Sequence, residues 1–401
     1  MIKYDMKNRL IFFLVIITLL MFSCPENIPD LHPTDEYINT LAGKGKEQSE
    51  WGIFVPNIPN NIGNAFTADP KTTRTIIWQS TINKGEVIIG KEHYPSVISS
   101  RGSIFHHRVV INNLEPGKTY NYIAGSEGYY SPVYSFTTES NSSGNFSVIH
   151  ITDTHITTSK SDAGVWKRVI ESAAGKSPEA AFVIHTGDVV EDAAAEAIPF
   201  YFDYAHRILA NNAFMYSLGN NDLTDWYNVY FYAPNTGNGG ILYYFNYGNA
   251  LFINVDSNIT LTQTQLNRLE SYLKNTTQKW KVVMTHQADY GRSGNNTNLT
   301  KLFDKYNVDL VMAGHNHFYA RSKPINTEGN AKANGTVWSI PNAASTKFNS
   351  TAGQSFLAVD KQPNLPMFSV FKFTDDNILL EAYTVNAEGT ALLFDSYTIQ
   401  H

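Results

Sequence analysis

A single cysteine in 401 residues excludes any disulfide within the chain, so a fold of this length has to be held together by core burial. Basic residues are not in excess either. Thirty Lys and Arg stand against 36 Asp and Glu, for a formal net charge of -6. That leaves no electrostatic footprint for nucleic acid and no polybasic patch for an anionic membrane surface. No fixed-period internal repeat is apparent. The apolar run near the start, residues 11–22, is too short to cross a hydrocarbon core of ~30 Å. Apolar residues make up 42% of the chain, charged residues 16%, and there are 23 Tyr and 23 Phe, a composition that fits a globular protein rich in β-structure or aromatic packing. A single core usually stops growing near about 250 residues, so the length points to two domains.

The first 24 residues read as a targeting segment. Lys3, Lys7 and Arg9 precede the apolar run, and Ser23 and Cys24 follow it, which is the layout of a secretory signal. Leu20-Met21-Phe22-Ser23-Cys24 resembles a bacterial lipobox, with Met21 and Phe22 departing from its strictest form. The resemblance implies cleavage before Cys24, lipidation of its thiol, and a protein exported to the bacterial cell envelope and held at a membrane by its N-terminal lipid. Cleaved secretion without an anchor is the alternative. Residues 25–50, rich in Pro, Asn, Asp, Glu, Lys and Gly, are expected to form a flexible spacer.

Two domains are expected beyond the spacer. Across residues 51–138 short apolar stretches at 75–78, 86–89, 107–111, 120–123 and 133–136 alternate with turn residues, as in a small antiparallel β-sandwich. The stretch from Leu114 through Pro116 and Gly117 to Tyr120 and Tyr122 resembles the turn and strand of fibronectin type III-like modules, and is similar to the N-terminal domain of purple acid phosphatases. Residues 139–144 read as a linker. In residues 145–401 apolar strands at 146–152, 181–186, 214–218, 251–255, 281–284 and 310–313 alternate with helix-like segments at 163–174, 193–209, 262–274 and 300–306. That order describes an α/β domain whose active residues sit where strands end. Further strands are expected at 368–373 and 378–384.

Polar residues with metal-ligating chemistry follow these strands: Asp153 and His155, then Asp188, then Asn220, Asn221 and Asp222, then His286, and finally His315 and His317. Two divalent ions close together need a bridging carboxylate with imidazole, carboxylate and amide groups around it, and this set contains that inventory. Glycine precedes Asp188, Asn220 and His315, where the backbone must turn sharply without a Cβ clash. Other candidates take plainer readings. His106, His107 and His185 read as core or surface residues, and Glu191 and Asp192 as caps of the following helix.

Taken together and in this order, the motifs resemble the calcineurin-like metallophosphoesterase superfamily. The resemblance implies a four-layered α/β/β/α sandwich with two divalent metal ions (Mn, Fe, Zn or Co) at its rim. Asp153, His155 and His317 would bind one ion, Asn220, His286 and His315 the other, and Asp188 would bridge. The implied activity is hydrolysis of a small phosphate ester, as a phosphomonoesterase or phosphodiesterase. A dinuclear site can lower the pKa of a bound water to about 7 and present the hydroxide in line with phosphorus. A catalytically weak envelope protein that uses the fold for ligand binding is the alternative.

Two departures bear on mechanism. The superfamily carries a histidine, taken to protonate the leaving oxygen, where this chain has Asn221, and asparagine has no proton to give in the working pH range. Asp222, which would orient that histidine, is then expected to lack its usual partner. Purple acid phosphatases carry a tyrosine three residues after the bridging aspartate, where this chain has Glu191, and glycine where it has His155. Divalent metals without a tyrosinate-bound ferric ion are therefore expected. Tyr227, Tyr230, Tyr232 and Tyr290 either stack on an aromatic leaving group or pack their loops, and the oligomeric state is not legible.

Overall fold

The alternating apolar stretches of the N-terminal half fold as short antiparallel strands. The computed structural model describes residues 35–142, 144–222, 229–234, 242–288, 297–351 and 353–400, so the signal and lipobox segment, with residues 25–34, lies outside the described residues. The described chain opens with helix α1 (Asp35–Leu41), which buries Ile38 against Ile88, Ile123 and Tyr130. Farther on, Lys46 Nζ forms a 2.9 Å ion pair with Asp203, and Gly52 N donates to the same carboxylate at 2.8 Å. The flexible-spacer expectation therefore fails for residues 35–50. Their composition is polar, yet Ile38 finds a greasy cleft and Lys46 finds a carboxylate 157 positions away.

The sandwich comprises β1 (Asn60–Ala65), β2 (Arg74–Ser80), β3 (Glu86–Ile89), β4 (Glu92–Pro95), β5 (Val97–Arg101), β6 (Ile104–Ile111), β7 (Thr119–Ser126), β8 (Tyr129–Tyr130) and β9 (Tyr134–Thr137). One sheet has the order β1-β2-β6-β5, and the other β4-β3-β7-β8 with β9 also paired to β7. Trp78, Val87, Val109, Tyr122 and Phe136 fill the space between them. Tyr120 stacks on Phe136 and its hydroxyl accepts the Glu115 amide at 2.7 Å, tying the Leu-Glu-Pro-Gly turn to its strand. His107 stacks on Trp78 with 4.7 Å between rings and bonds to Ser80 and Ser96, while burial pushes its pKa down to about 4. It is a core residue. Strand β1, with the sequence Asn-Asn-Ile-Gly-Asn-Ala, has no apolar alternation and was not expected, yet it is buried throughout. It is covered because the second domain packs on it.

That second domain contains β10 (Phe146–Ile151), α2 (Lys160–Lys176), β11 (Phe182–His185), α3 (Ile198–Tyr204), α4 (His206–Asn211), β12 (Phe214–Tyr216), β13 (Leu242–Tyr247), β14 (Ala250–Val255), α5 (Gln263–Asn275), β15 (Trp280–Gln287) and α6 (Thr297–Tyr306). It continues with β16 (Leu310–Gly314), β17 (Tyr319–Ser322), β18 (Val337–Ile340), β19 (Leu357–Lys361), β20 (Met367–Phe373), β21 (Asn377–Val385) and β22 (Ala391–Gln400). Two mixed sheets result, ordered β12-β11-β10-β20-β21-β22 and β13-β14-β15-β16-β18-β17-β19. Strand residues alternate between two cores: Phe252, Val282, Met284 and Leu310 face the other sheet, while Ile253, Val283 and Val311 meet Leu269, Leu273 and Phe303 of α5 and α6. Strands covered on both faces read as continuous apolar runs for this reason. With Trp166, Val169 and Ile170 of α2 covering the first sheet, the layers are α/β/β/α.

The single helix expected over 193–209 is instead a 3-10 turn (Ala195–Ala197) followed by α3 and α4, broken at Ala205, whose φ of -124° and ψ of 14° are not helical. Pro199 stands in the first turn of α3, where its missing N–H does no harm but bars continuation from upstream. No helix among the described residues is long and apolar enough to cross a membrane. The sandwich docks through α4: Tyr122 Oη donates to Ala210 O at 2.7 Å, and Asn64 Nδ2 to the same carbonyl at 3.2 Å.

Candidate functional site

Parallel strands deliver side chains at their carboxyl ends, and two facing sheets bring two sets of such ends to one rim. β10, β11 and β12 are neighbours in the first sheet and end at Asp153 and His155, at Asp188, and at Asn220. β15 and β16 are neighbours in the second and end at His286, His315 and His317. All seven expected residues meet there. One ligand atom each from Asp153, His155, Asp188 and His317 lies within 4.8 Å of the others, and a second such group is Asp188, His286 and His315. Asp188 is common to both. Its Oδ2 lies 3.5 Å from His155 Nε2, and its Oδ1 lies 3.4 Å from His286 Nε2. Asn220 joins the second group through Oδ1, 3.1 Å from His286 Nε2.

The backbone is strained to achieve this. Asp153, His155, Asp188, His315 and His317 have φ of 54°, 43°, 53°, 71° and 52°, in a region that costs a non-glycine residue roughly 1–3 kcal/mol and persists where packing imposes it. Glycines supply room. A Cβ on Gly314 would stand 1.9 Å from Thr152 Oγ1 and 2.7 Å from Asp153 Oδ2, and one on Gly219 would stand 2.0 Å from Asp188 N. Only Gly187 of the three also has a positive φ, 95°; at the other two positions the constraint is close approach rather than turn conformation.

The supporting bonds leave the ligand atoms facing inward. His286 Nδ1 donates to the Thr186 carbonyl at 2.8 Å, and His155 Nδ1 donates to Glu191 Oε2 at 2.7 Å, so the neutral form of each ring is the tautomer whose Nε2 lone pair points into the cluster. Asp153 Oδ2 is bonded by Thr152 Oγ1 (2.7 Å) and His315 N (2.9 Å). Its other oxygen, Oδ1, is buried and has no hydrogen-bond partner, although His317 Nε2 lies 3.2 Å away. His155 Nε2 and His317 Nε2 face each other at 2.9 Å. An orphaned carboxylate oxygen among converging imidazole lone pairs fits a cation. Burial alone would raise the carboxyl groups of Asp153 and Asp188, but the neighbouring imidazoles reverse this and hold both below the usual range. Burial opposes a proton on His286, yet Asp188 and Asp153 raise its pKa to about 9. The cluster attracts positive charge strongly.

Two expectations, those for Glu191 and Asp192, need correction. Asp222 is without the usual histidine and is held by backbone amides in its place. It is half-buried and its carboxylate accepts the amides of Asp188 and Gly219 through Oδ2, both at 2.9 Å, and of Val189 (2.9 Å) and Val190 (3.4 Å) through Oδ1. Burial and the Asp188 carboxylate push its pKa up to about 6. Asn221 is also committed inward, its Nδ2 donating to Asp188 Oδ2 at 2.7 Å and its N to Asp188 Oδ1 at 2.8 Å. Glu191 does not cap a helix. Besides holding His155 it pairs with Lys347, contacts that no local pattern marks beyond the place of Glu191 three residues after Asp188. Neither does Asp192 cap one; the first helical turn begins at Ala195, after Ala194.

His185 stays outside the cluster, bonded to Thr154 Oγ1 at 3.2 Å, and burial pushes its pKa down to about 3. Tyr230 packs edge-on to His106 at 5.8 Å, and Arg108 sits 5.5 Å from the ring of Tyr232, so both tyrosines pack against the sandwich. Tyr227 and Tyr290 lie outside the described residues. A cavity of about 840 Å³ lined by Arg74, Thr137 and Phe373 lies between the domains at the opposite end of β10, next to Phe146, away from the ligand cluster.

Residues 146–319 match the family model of calcineurin-like phosphoesterases. The chain carries a calcineurin-like phosphoesterase domain. Residues 59–138, ahead of it, match the N-terminal domain of purple acid phosphatases. The fold is similar to that of a purple acid phosphatase from seeds of yellow lupin (Lupinus luteus), with a TM-score of 0.73 at 17% identity over 87% of this chain and 75% of that one. It is also similar to the structure of PhoD, with a TM-score of 0.61 at 13% identity over 86% of this chain and 91% of that one. No curated protein matches the sequence. The phosphoesterase domain spans every residue of the cluster, and the family implies dinuclear metal ions there.

Proposed function

We propose that the protein hydrolyses small phosphate mono- or diesters at a pair of divalent ions, with Asp153, His155 and His317 holding one, Asn220, His286 and His315 the other, and Asp188 joining them. The observation that supports this best is the placement of one Asp188 oxygen toward each ligand group. Such a pair, when bound, supplies Lewis acidity, lowering the pKa of water and offsetting charge on a phosphoryl group. The chain's own residues do the positioning. Asp222 fixes the loop carrying Asp188, Asn221 fixes the Asp188 carboxylate, and Thr152 with His315 N fixes Asp153. From the sequence of residues 1–24 we further infer export to the bacterial envelope and lipid attachment at Cys24.

Chelation followed by metal return tests the activity. Hydrolysis of mono- and bis-nitrophenyl phosphate should vanish on chelation and return with Mn²⁺, and the faster ester gives the class. A protein that binds Mn²⁺ but turns over neither ester would instead be a binding protein.

Asn221 adds a second expected outcome. With no protonated group at that position, aryl phosphates should be cleaved readily and alkyl esters more slowly by roughly the 10²–10⁴ of a missing general acid. Asn221→His should raise the alkyl-to-aryl turnover ratio. An unchanged ratio sinks the idea that a proton donor is missing here.

A further inference from the structure

Among the described residues, His155 is the one cluster imidazole backed by a carboxylate. Glu191 Oε2 accepts a hydrogen bond from its Nδ1 at 2.7 Å, whereas His286 Nδ1 has only the neutral Thr186 carbonyl. Glu191 is itself anchored twice. Its other oxygen pairs with Lys347, and its backbone N donates to Ile156 O at 3.0 Å, next to His155 in sequence. The residue is therefore held in register with the ring that it orients.

A carboxylate behind an imidazole fixes the tautomer and raises the basicity of the far nitrogen, and a peptide carbonyl does so less. The far nitrogen here is His155 Nε2, 3.7 Å from Asp153 Oδ1 and 3.5 Å from Asp188 Oδ2. The two ligand groups are consequently unequal. The first holds two carboxylates, Asp153 and Asp188, with Glu191 behind one of its two histidines; the second holds only the shared Asp188.

We propose that Glu191, steadied by Lys347, is a positioning residue that makes the Asp153/His155/Asp188/His317 position the tighter of two unequal metal positions. This rests on the dinuclear reading above. The test is calorimetric titration of chelator-treated full chain with Mn²⁺, comparing the native protein with Glu191→Gln, Glu191→Ala and Lys347→Met. The native chain should bind two ions in two resolved steps. Glu191→Ala should weaken the tighter step by about 10- to 100-fold, the usual cost of losing an outer-shell partner, and leave the weaker step unchanged. Glu191→Gln, whose amide oxygen still accepts the Nδ1 proton, should fall between, and Lys347→Met should shift the tighter step less than Glu191→Ala does. The thermal midpoint of the metal-free variants reports folding separately and should match the native value. Two ions bound by Glu191→Ala with native affinities, or an equal weakening of both steps, overturns the proposal while leaving the dinuclear reading intact. A native chain that binds no Mn²⁺ overturns both.

Discussion

Asp188→Ala is expected to reduce phosphate-ester turnover by at least about 10³-fold, the scale on which losing one preorganised electrostatic element acts, and to leave a protein that no longer retains two ions. Both Asp188 oxygens are in use, one toward His155 and one toward His286. Without that carboxylate the first ligand group keeps Asp153, but the second keeps only the neutral donors Asn220, His286 and His315. Two cations would then face each other with nothing negative between them. Asp188→Asn separates charge from shape. Asparagine tolerates the φ of 53° found at this position at least as well as aspartate does but turns one of the two oxygens that accept from Asn221 into a donor, so the metal-free fold should melt somewhat lower while the bridging is lost. Metal content of the purified variants and steady-state rates on an aryl phosphate are the measurements. Two tightly held ions in Asp188→Ala, with a rate within tenfold of native, would remove Asp188 from the bridging role.

Asp222→Ala should be the most destabilising change around the site, by about 3–5 kcal/mol, because it strips a single acceptor from several buried amides at about 1–3 kcal/mol each. The amides belong to Asp188, Val189, Val190 and Gly219. They line the two loops that follow β11 and β12, so the loss is also one of alignment. Asp222→Asn keeps one accepting oxygen and turns the other position into a donor facing N–H groups, so it should cost less than the alanine change but more than a surface substitution. Denaturant unfolding of the metal-free variants measures the difference. An Asp222→Ala midpoint indistinguishable from native would show that these amides find other partners.

The site was largely legible because each ligand lies within a few positions of the end of an apolar strand, His286 inside β15 and the others after theirs. β10 ends at Ile151 and Asp153 follows; β11 ends at His185 and Asp188 follows; β16 ends at Gly314 and His315 follows. Local hydrophobic runs mark such strand ends without any knowledge of pairing. Strands without such a run were missed: β1 is mostly Asn and Gly, and β22 alternates so weakly that Leu392 and Leu393 are both exposed. The segment 35–50 was misjudged for the same reason. A polar composition says little when one isoleucine and one buried ion pair do the anchoring.

By itself the sequence determined the two-domain order, the strand-helix alternation of the second domain, and the inventory of carboxylate, imidazole and amide groups, since all of these are periodic or adjacent features. The tertiary structure alone decided what stands behind those groups: Glu191 on His155 across 36 positions, Lys347 on Glu191 across 156, and Asp222 on the amide of Asp188 across 34. A hydrogen bond depends on ångström distances and on the direction of a lone pair. Those are set only when two sheets close on a shared core and force five ligand residues into left-handed backbone.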